Sequence, residues 1–217
     1  NIYEKLKAKE GVKKELVEEC RQATSGIVRE LATIWHREAQ KTQNNETYAL
    51  AGQLYGEYLT RFPEERDAHT MRFYYAELQF KLGEVYGKKE YWIRAAEEYT
   101  RVIEQDPKGP NVKEAAYASV IAWKNALNVQ DVPDTAAEKG KPKDKQDKGE
   151  KDKELKPIEL SEEHRRMIAA FDTYLKYVPD APERVQILYN KARIYYEHNR
   201  FEEAAPLFDE VATKYAN

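Results

Sequence analysis

Between Leu82 and Pro107 apolar side chains recur three and four residues apart, break off at Gly87, and resume at Tyr91. That spacing predicts two helices, one ending near Tyr86 and one running from about Glu90 to Glu104, where Pro107 stops it. Ala95, Tyr99, Val102 and Ile103 fall on one face of the second helix, and Leu82, Gly83 and Tyr86 on one face of the first. A small residue at Gly83 or Ala95 lets the two backbones approach closely, so the pair reads as an antiparallel helical hairpin.

The same order of positions returns along the chain. Ala51, Tyr55, Tyr58 and Pro63 match Ala95, Tyr99, Val102 and Pro107; Met167, Phe171, Tyr174 and Pro179 match them again; Ala204, Phe208 and Val211 form a fourth set. The equivalent aromatics Tyr55, Tyr99, Phe171 and Phe208 are 44, 72 and 37 residues apart. The middle interval is too long by about one repeat of 34 residues. Its excess lies at residues 129–160, which include EKGKPKDKQDKGEKDKELK, with eight lysines and six acidic residues. Such a run cannot bury enough surface to offset the entropy of ordering it, so a disordered loop is expected there. Deleting residues 134–154 is expected to leave the thermal transition nearly unchanged. With the loop set aside, Pro110 to Trp123 aligns without a gap on Pro182 to Tyr195.

Leu82-Gly83, Tyr86, Ala95, Tyr99 and Pro107 stand at the offsets of the tetratricopeptide repeat, which this chain resembles. The early Trp of that repeat is replaced by Gln79. The resemblance implies an all-α, right-handed α-solenoid of about four helical hairpins, with the disordered insertion in the third. The expected division is an N-terminal helical segment at 1–26, repeats at 27–63 and 64–109 (the latter with an extended first helix), a third at 110–181 split by the loop, and a fourth at 182–217.

Upstream, Val12, Leu16, Cys20, Ala23, Ile27, Leu31 and Trp35 step by four and three. This predicts a long helix from about Val12 to Lys41, bent at Ser25 and Gly26, with that stripe buried. Residues 2–9 are expected to be the end of another helix, belonging to a preceding repeat, and the array is expected to continue past residue 217.

Composition removes several function classes. Net charge is −3, with 36 basic and 39 acidic residues interspersed, which leaves no electrostatic footprint for nucleic acid or an anionic membrane. No apolar run reaches the roughly 20 residues of a membrane helix. The lone cysteine, Cys20, allows no internal disulfide and no cysteine-based zinc cluster, and buried packing is its expected role. His36, His69, His164 and His198 form no helical pair at metal-ligand spacing, so no metal is expected. Neither a phosphate-binding glycine loop nor a hydrolase motif occurs, and paired acids such as Glu97 and Glu98 are expected to be solvated helix surface. The reading is of a protein that is not an enzyme and needs no cofactor.

In tetratricopeptide proteins the first helices of the hairpins line a concave groove. Carried over position by position, that groove would hold Glu77, Phe80 and Glu84, then Tyr117, Ile121 and Lys124, then Tyr189, Arg193 and Tyr196. Aromatics with scattered charges suit a partner peptide or helix. The alternative for Phe80, Tyr117 and Tyr189 is packing on neighbouring repeats. The Lys and Asn clamp of chaperone-binding members is missing at the matching positions. The sub-pattern Tyr-x-x-Ala-x-x-x-Tyr-x-x-Val-Ile with Asp-Pro is similar to bacterial cell-envelope members, which implies a periplasmic or outer-membrane-associated scaffold, with the cytoplasm as the alternative. The expected function is a non-catalytic protein-interaction scaffold. A structural spacer stacking end to end on further repeats, or a regulatory domain attached to an enzyme, are the alternatives.

Overall fold

Helix-favouring sequence interrupted by turn residues folds, in the computed structural model, into helices and connecting turns, with no strand among the described residues. The structure describes residues 2–9, 11–129 and 155–214. The helices are α1 (Ile2–Lys7), α2 (Lys14–Thr42), α3 (Asn45–Arg61), α4 (Ala68–Tyr86), α5 (Lys89–Gln105), α6 (Val112–Leu127), α7 (Glu162–Tyr177), α8 (Arg184–Glu197) and α9 (Phe201–Lys214). Most of the expected lysine-rich loop, residues 130–154, lies outside the described residues.

The chain divides into two compact units, residues 1–122 and 123–217. In the first, α2 pairs with α3 and α4 with α5, and α4 also packs on α3. Short turns close these hairpins. Asn44 caps α3 by accepting a hydrogen bond from the Thr47 amide at 2.9 Å, while Gln43 and Gly87 end α2 and α4 in the left-handed conformation. One core joins Ala32 and Ala39 of α2, Tyr48, Ala51, Tyr55 and Tyr58 of α3, and Met71, Leu78 and Leu82 of α4. The α4–α5 hairpin adds Phe73 on Tyr99 and Phe80 edge-on to Trp92 at 4.8 Å.

In the second unit α8 pairs with α9. Lys191 bridges to Asp172 of α7 at 2.6 Å and Arg184 to Glu210 of α9 at 3.2 Å. Residues just before α7 dock on the α8–α9 turn: the Ile158 amide donates to the His198 carbonyl, Asn199 Nδ2 donates to the Lys156 carbonyl, and Leu160 is buried.

The repeated template names the interior of the second helices correctly. Ala51, Tyr55, Tyr58, Ala95, Tyr99, Val102, Met167, Phe171, Tyr174 and Ala204 are all buried, while Phe208 and Val211 of α9 are half-buried. Three expectations are corrected. The buried side of α2 is Ser25, Ala32, His36 and Ala39, with Val17 and Val28 partly covered; Leu16, Ala23, Ile27, Leu31 and Trp35 of the predicted stripe are exposed, and Cys20 is only half-buried. Both sides of α2 carry apolar residues, and the larger side chains lie on the outer one. Tyr86, placed in the core by its offset, is exposed and stacks on Tyr91. Glu98 is buried rather than solvated, held by Arg72 and Arg101.

Candidate functional site

Helix α4 has more faces to satisfy than its neighbours. Met71, Leu78 and Leu82 join the core shared with the preceding hairpin, while Phe73, Phe80 and Gly83 turn toward Tyr99 and Trp92 of α5. Gly83 is required there, because a Cβ at that position would stand 2.6 Å from the Trp92 ring. What remains is a face bearing Tyr74 and Glu77 one turn apart. The Tyr74 ring lies 6.1 Å from His36 of α2 and 6.3 Å from Tyr55 of α3, so this face meets two other helices.

The electrostatics of that face are unbalanced. Glu77 is half-buried and has no hydrogen-bond or ion-pair partner among the described residues. Its carboxyl is pushed up to about 7, first by burial and then by the negative charge of Glu114 on α6. Glu77 and Glu114 in turn help hold the Tyr99 phenol above its ordinary range, where burial is the main cause. Burial likewise raises Tyr55 and lowers His36, whose Nδ1 lies 3.3 Å from the Tyr55 hydroxyl. The face is thus an aromatic-walled, partly desolvated acidic surface without a countercharge on Glu77.

Of the nine residues expected to line a groove, Glu77, Phe80, Glu84, Tyr117 and Ile121 belong to the first unit, and Lys124, Tyr189, Arg193 and Tyr196 to the second. In the first, Glu77 and the exposed Tyr117 stand on α4 and α6; Glu84 is exposed and pairs with Lys81 at 3.0 Å, Ile121 is half-buried, and Phe80 packs on Trp92 of its own hairpin. In the second, Tyr189 and Tyr196 both meet Phe208 of α9, with Tyr196 also on Phe201, and Arg193 approaches Glu197 at 3.5 Å. Lys124 is half-buried.

Two residues of this face, and one pair of histidines in the second unit, escaped the sequence reading. Tyr74 and Glu114 become visible only when α4 and α6 are built, although Glu114 follows the Pro110 turn at the start of a first helix, which is the signal that was available. His164 and His198, far apart in sequence, come together with ring centroids 5.0 Å apart; Ser161 caps α7 beside His164, and His198 Nδ1 donates to the Ile194 carbonyl at 2.7 Å. No three His, Cys, Asp or Glu side chains among the described residues are grouped to hold a metal ion, and no described helix is long and apolar enough to cross a membrane.

Residues 163–217, which span α7, α8 and α9, match the family model described as tetratricopeptide repeat. No curated protein matches the chain.

Proposed function

Because the chain is a tetratricopeptide repeat protein, a family whose repeats mediate protein–protein interaction and as a rule act as non-catalytic scaffolds, we propose that it is a scaffold whose first unit binds a partner peptide or helix through α4 and α6. The partner carries a basic side chain. The observation that carries this reading is Glu77: a half-buried carboxylate without a cation, raised to about 7 and facing Glu114, is relieved when a lysine or arginine docks between them. Tyr74, Tyr117 and Ile121 supply aromatic and apolar contact around that charge, and Glu84 lies on the rim. Phe80, locked on Trp92, stiffens the wall rather than meeting the partner.

The second unit, taken by itself, offers its own contact residues: Tyr196, exposed beside Phe201, with Tyr189, Arg193 and Lys124. A place in a bacterial cell-envelope assembly belongs to the proposal on the strength of the Tyr-Ala-Tyr-Val-Ile sub-pattern.

A displayed library of random helical and linear peptides, selected on the whole chain, tests the reading. The expected result is enrichment of Lys- or Arg-bearing sequences, lost in Glu77→Gln/Glu114→Gln and weakened in Tyr117→Ala at unchanged helicity. Since docking of a cation requires the ionised carboxylate, affinity should fall as pH drops below about 7. Enriched acidic peptides, or binding indifferent to Glu77, would overturn it. An assembly role is the second reading, and it rests on a different surface, the outer face of α2.

A further inference from the structure

Helix α2 is amphipathic twice over. Its inner side closes the core through Ala32, His36 and Ala39, and its outer side carries Leu16, Ala23, Ile27, Leu31, Ile34 and Trp35, all exposed. The steps from Leu16 to Ala23, Ile27 and Ile34 are seven, four and seven, the spacing of one helix face, which Leu31 and Trp35 widen. Over these 19 residues the stripe is about 28 Å long at 1.5 Å rise per residue. Its five large side chains are 37% to 65% exposed, a contiguous apolar surface of the kind that marks an association site rather than scattered surface hydrophobics. α1 leaves it open, because Tyr3 and Leu6 line a cleft with Val17 and Arg21 on the other side of the helix, and Tyr3 packs on Phe62.

The charges beside the stripe identify the occupant. Glu15 and Glu19 lie at its beginning, Arg37 and Lys41 at its end, and none of the four has an ion-pair partner among the described residues. By contrast, the charges of the inner side are satisfied within the fold, Arg21 with Glu18 and Glu65, Arg29 with Asp67. The ends are mixed, with Lys13 and Lys14 before Glu15 and Glu38 after Arg37, and the seam run backwards sets Lys14 against Glu38 as well as Glu15 against Arg37. Glu15 stands eleven residues before Gly26 and Arg37 eleven after it. Two α2 helices crossing antiparallel near Gly26 therefore set Glu15 of each copy beside Arg37 of the other, and Leu16 beside Ile34 and Trp35, with the two Ile27 side chains near the crossing. A parallel pair would oppose Glu15 to Glu15 and Arg37 to Arg37, which is unfavourable.

We propose that the outer face of α2 is a homodimerisation surface, occupied by α2 of a second copy of this chain in antiparallel order about a two-fold axis near Gly26. The surface is separate from Glu77 and its surroundings, so the two readings stand or fall independently.

Sedimentation or light scattering of the whole chain over a concentration series reads the proposal directly. A dimer is expected for the wild type. Ile27→Asp, at a position exposed enough to leave the fold intact, should raise the dissociation constant by about a hundredfold or more, since it places a charge in the seam. Arg37→Glu alone should weaken the dimer, and Glu15→Arg/Arg37→Glu should restore it. Glu77→Gln should leave it unchanged. The orientation has its own readout: in the antiparallel order the two Cys20 residues are separated by about 18 Å of helix rise, too far for a disulfide, whereas parallel order brings them face to face. A chain that stays monomeric at every concentration, a dimer indifferent to Ile27→Asp, a charge swap without rescue, or a Cys20-linked dimer on oxidation would each overturn the proposal.

Discussion

Three residues of α4 are held under conditions that a single substitution can relieve or worsen. Gly83 lies beneath the Trp92 ring, where a methyl group would intrude at 2.6 Å. Gly83→Ala gains about 1 kcal/mol of helix propensity but forces the indole out of place, at a cost of about 1–3 kcal/mol, so a net loss of stability in chemical denaturation is expected. Gln79, which stands where the family has its Trp, is buried with its Oε1 unpaired. Gln79→Met removes that desolvated oxygen while keeping the volume, and should stabilise the chain by about 1 kcal/mol. Glu77 gives a pH signature. Its folded pKa, about 7, lies above the ordinary 4.5, so the folded state binds the extra proton and stability declines as pH rises from about 4.5 through 7. Glu77→Gln should accordingly raise the melting temperature at pH 8 and leave it nearly unchanged at pH 4. The depressed pKa of His36 acts in the opposite sense, removing stability as pH falls below 6.5, and its contribution survives in the variant.

At the scale of the element, the α4–α5 hairpin is tied by a buried ion pair as well as by its aromatics. Arg72 and Glu98 are both largely buried, and Arg101 reaches the same carboxylate from the solvent side. Arg72→Met leaves Glu98 with only that exposed partner, and the loss expected from equilibrium unfolding is about 2–3 kcal/mol, against little change for Arg101→Met. How far such elements can be read from sequence depends on what the periodicity encodes. The order Ala51-Tyr55-Tyr58, repeated as Ala95-Tyr99-Val102, locates buried faces because each second helix has one apolar side. α2 defeats the same reasoning: its core side is built from small residues and a histidine, and its bulkier stripe from Leu16 to Trp35 faces outward, so hydrophobicity alone picks the wrong side. Glu98 was misplaced for a related reason, since its burial depends on Arg72 being 26 residues away in sequence but adjacent in the hairpin. The candidate site was legible only in outline. Glu77 and Tyr117 were named from repeat offsets, whereas Tyr74 and Glu114 follow from tertiary packing that no local pattern contains.

For the molecule as a whole, the three tryptophans report on three different places. Trp123 and Trp92 are buried, and Trp35, on the outer face of α2, is 37% exposed. Iodide or acrylamide in solution can therefore reach one indole while the other two are shielded by the fold. Collisional quenching of the intrinsic emission should show a single accessible fraction, assigned to Trp35 by its disappearance in Trp35→Phe. That fraction should shrink with increasing protein concentration if a second α2 covers the stripe, and should stay constant in Ile27→Asp. The exposed tryptophan thus makes the chain its own optical probe: without label or partner, the light it emits reports whether the long face of its first hairpin is wet or dry.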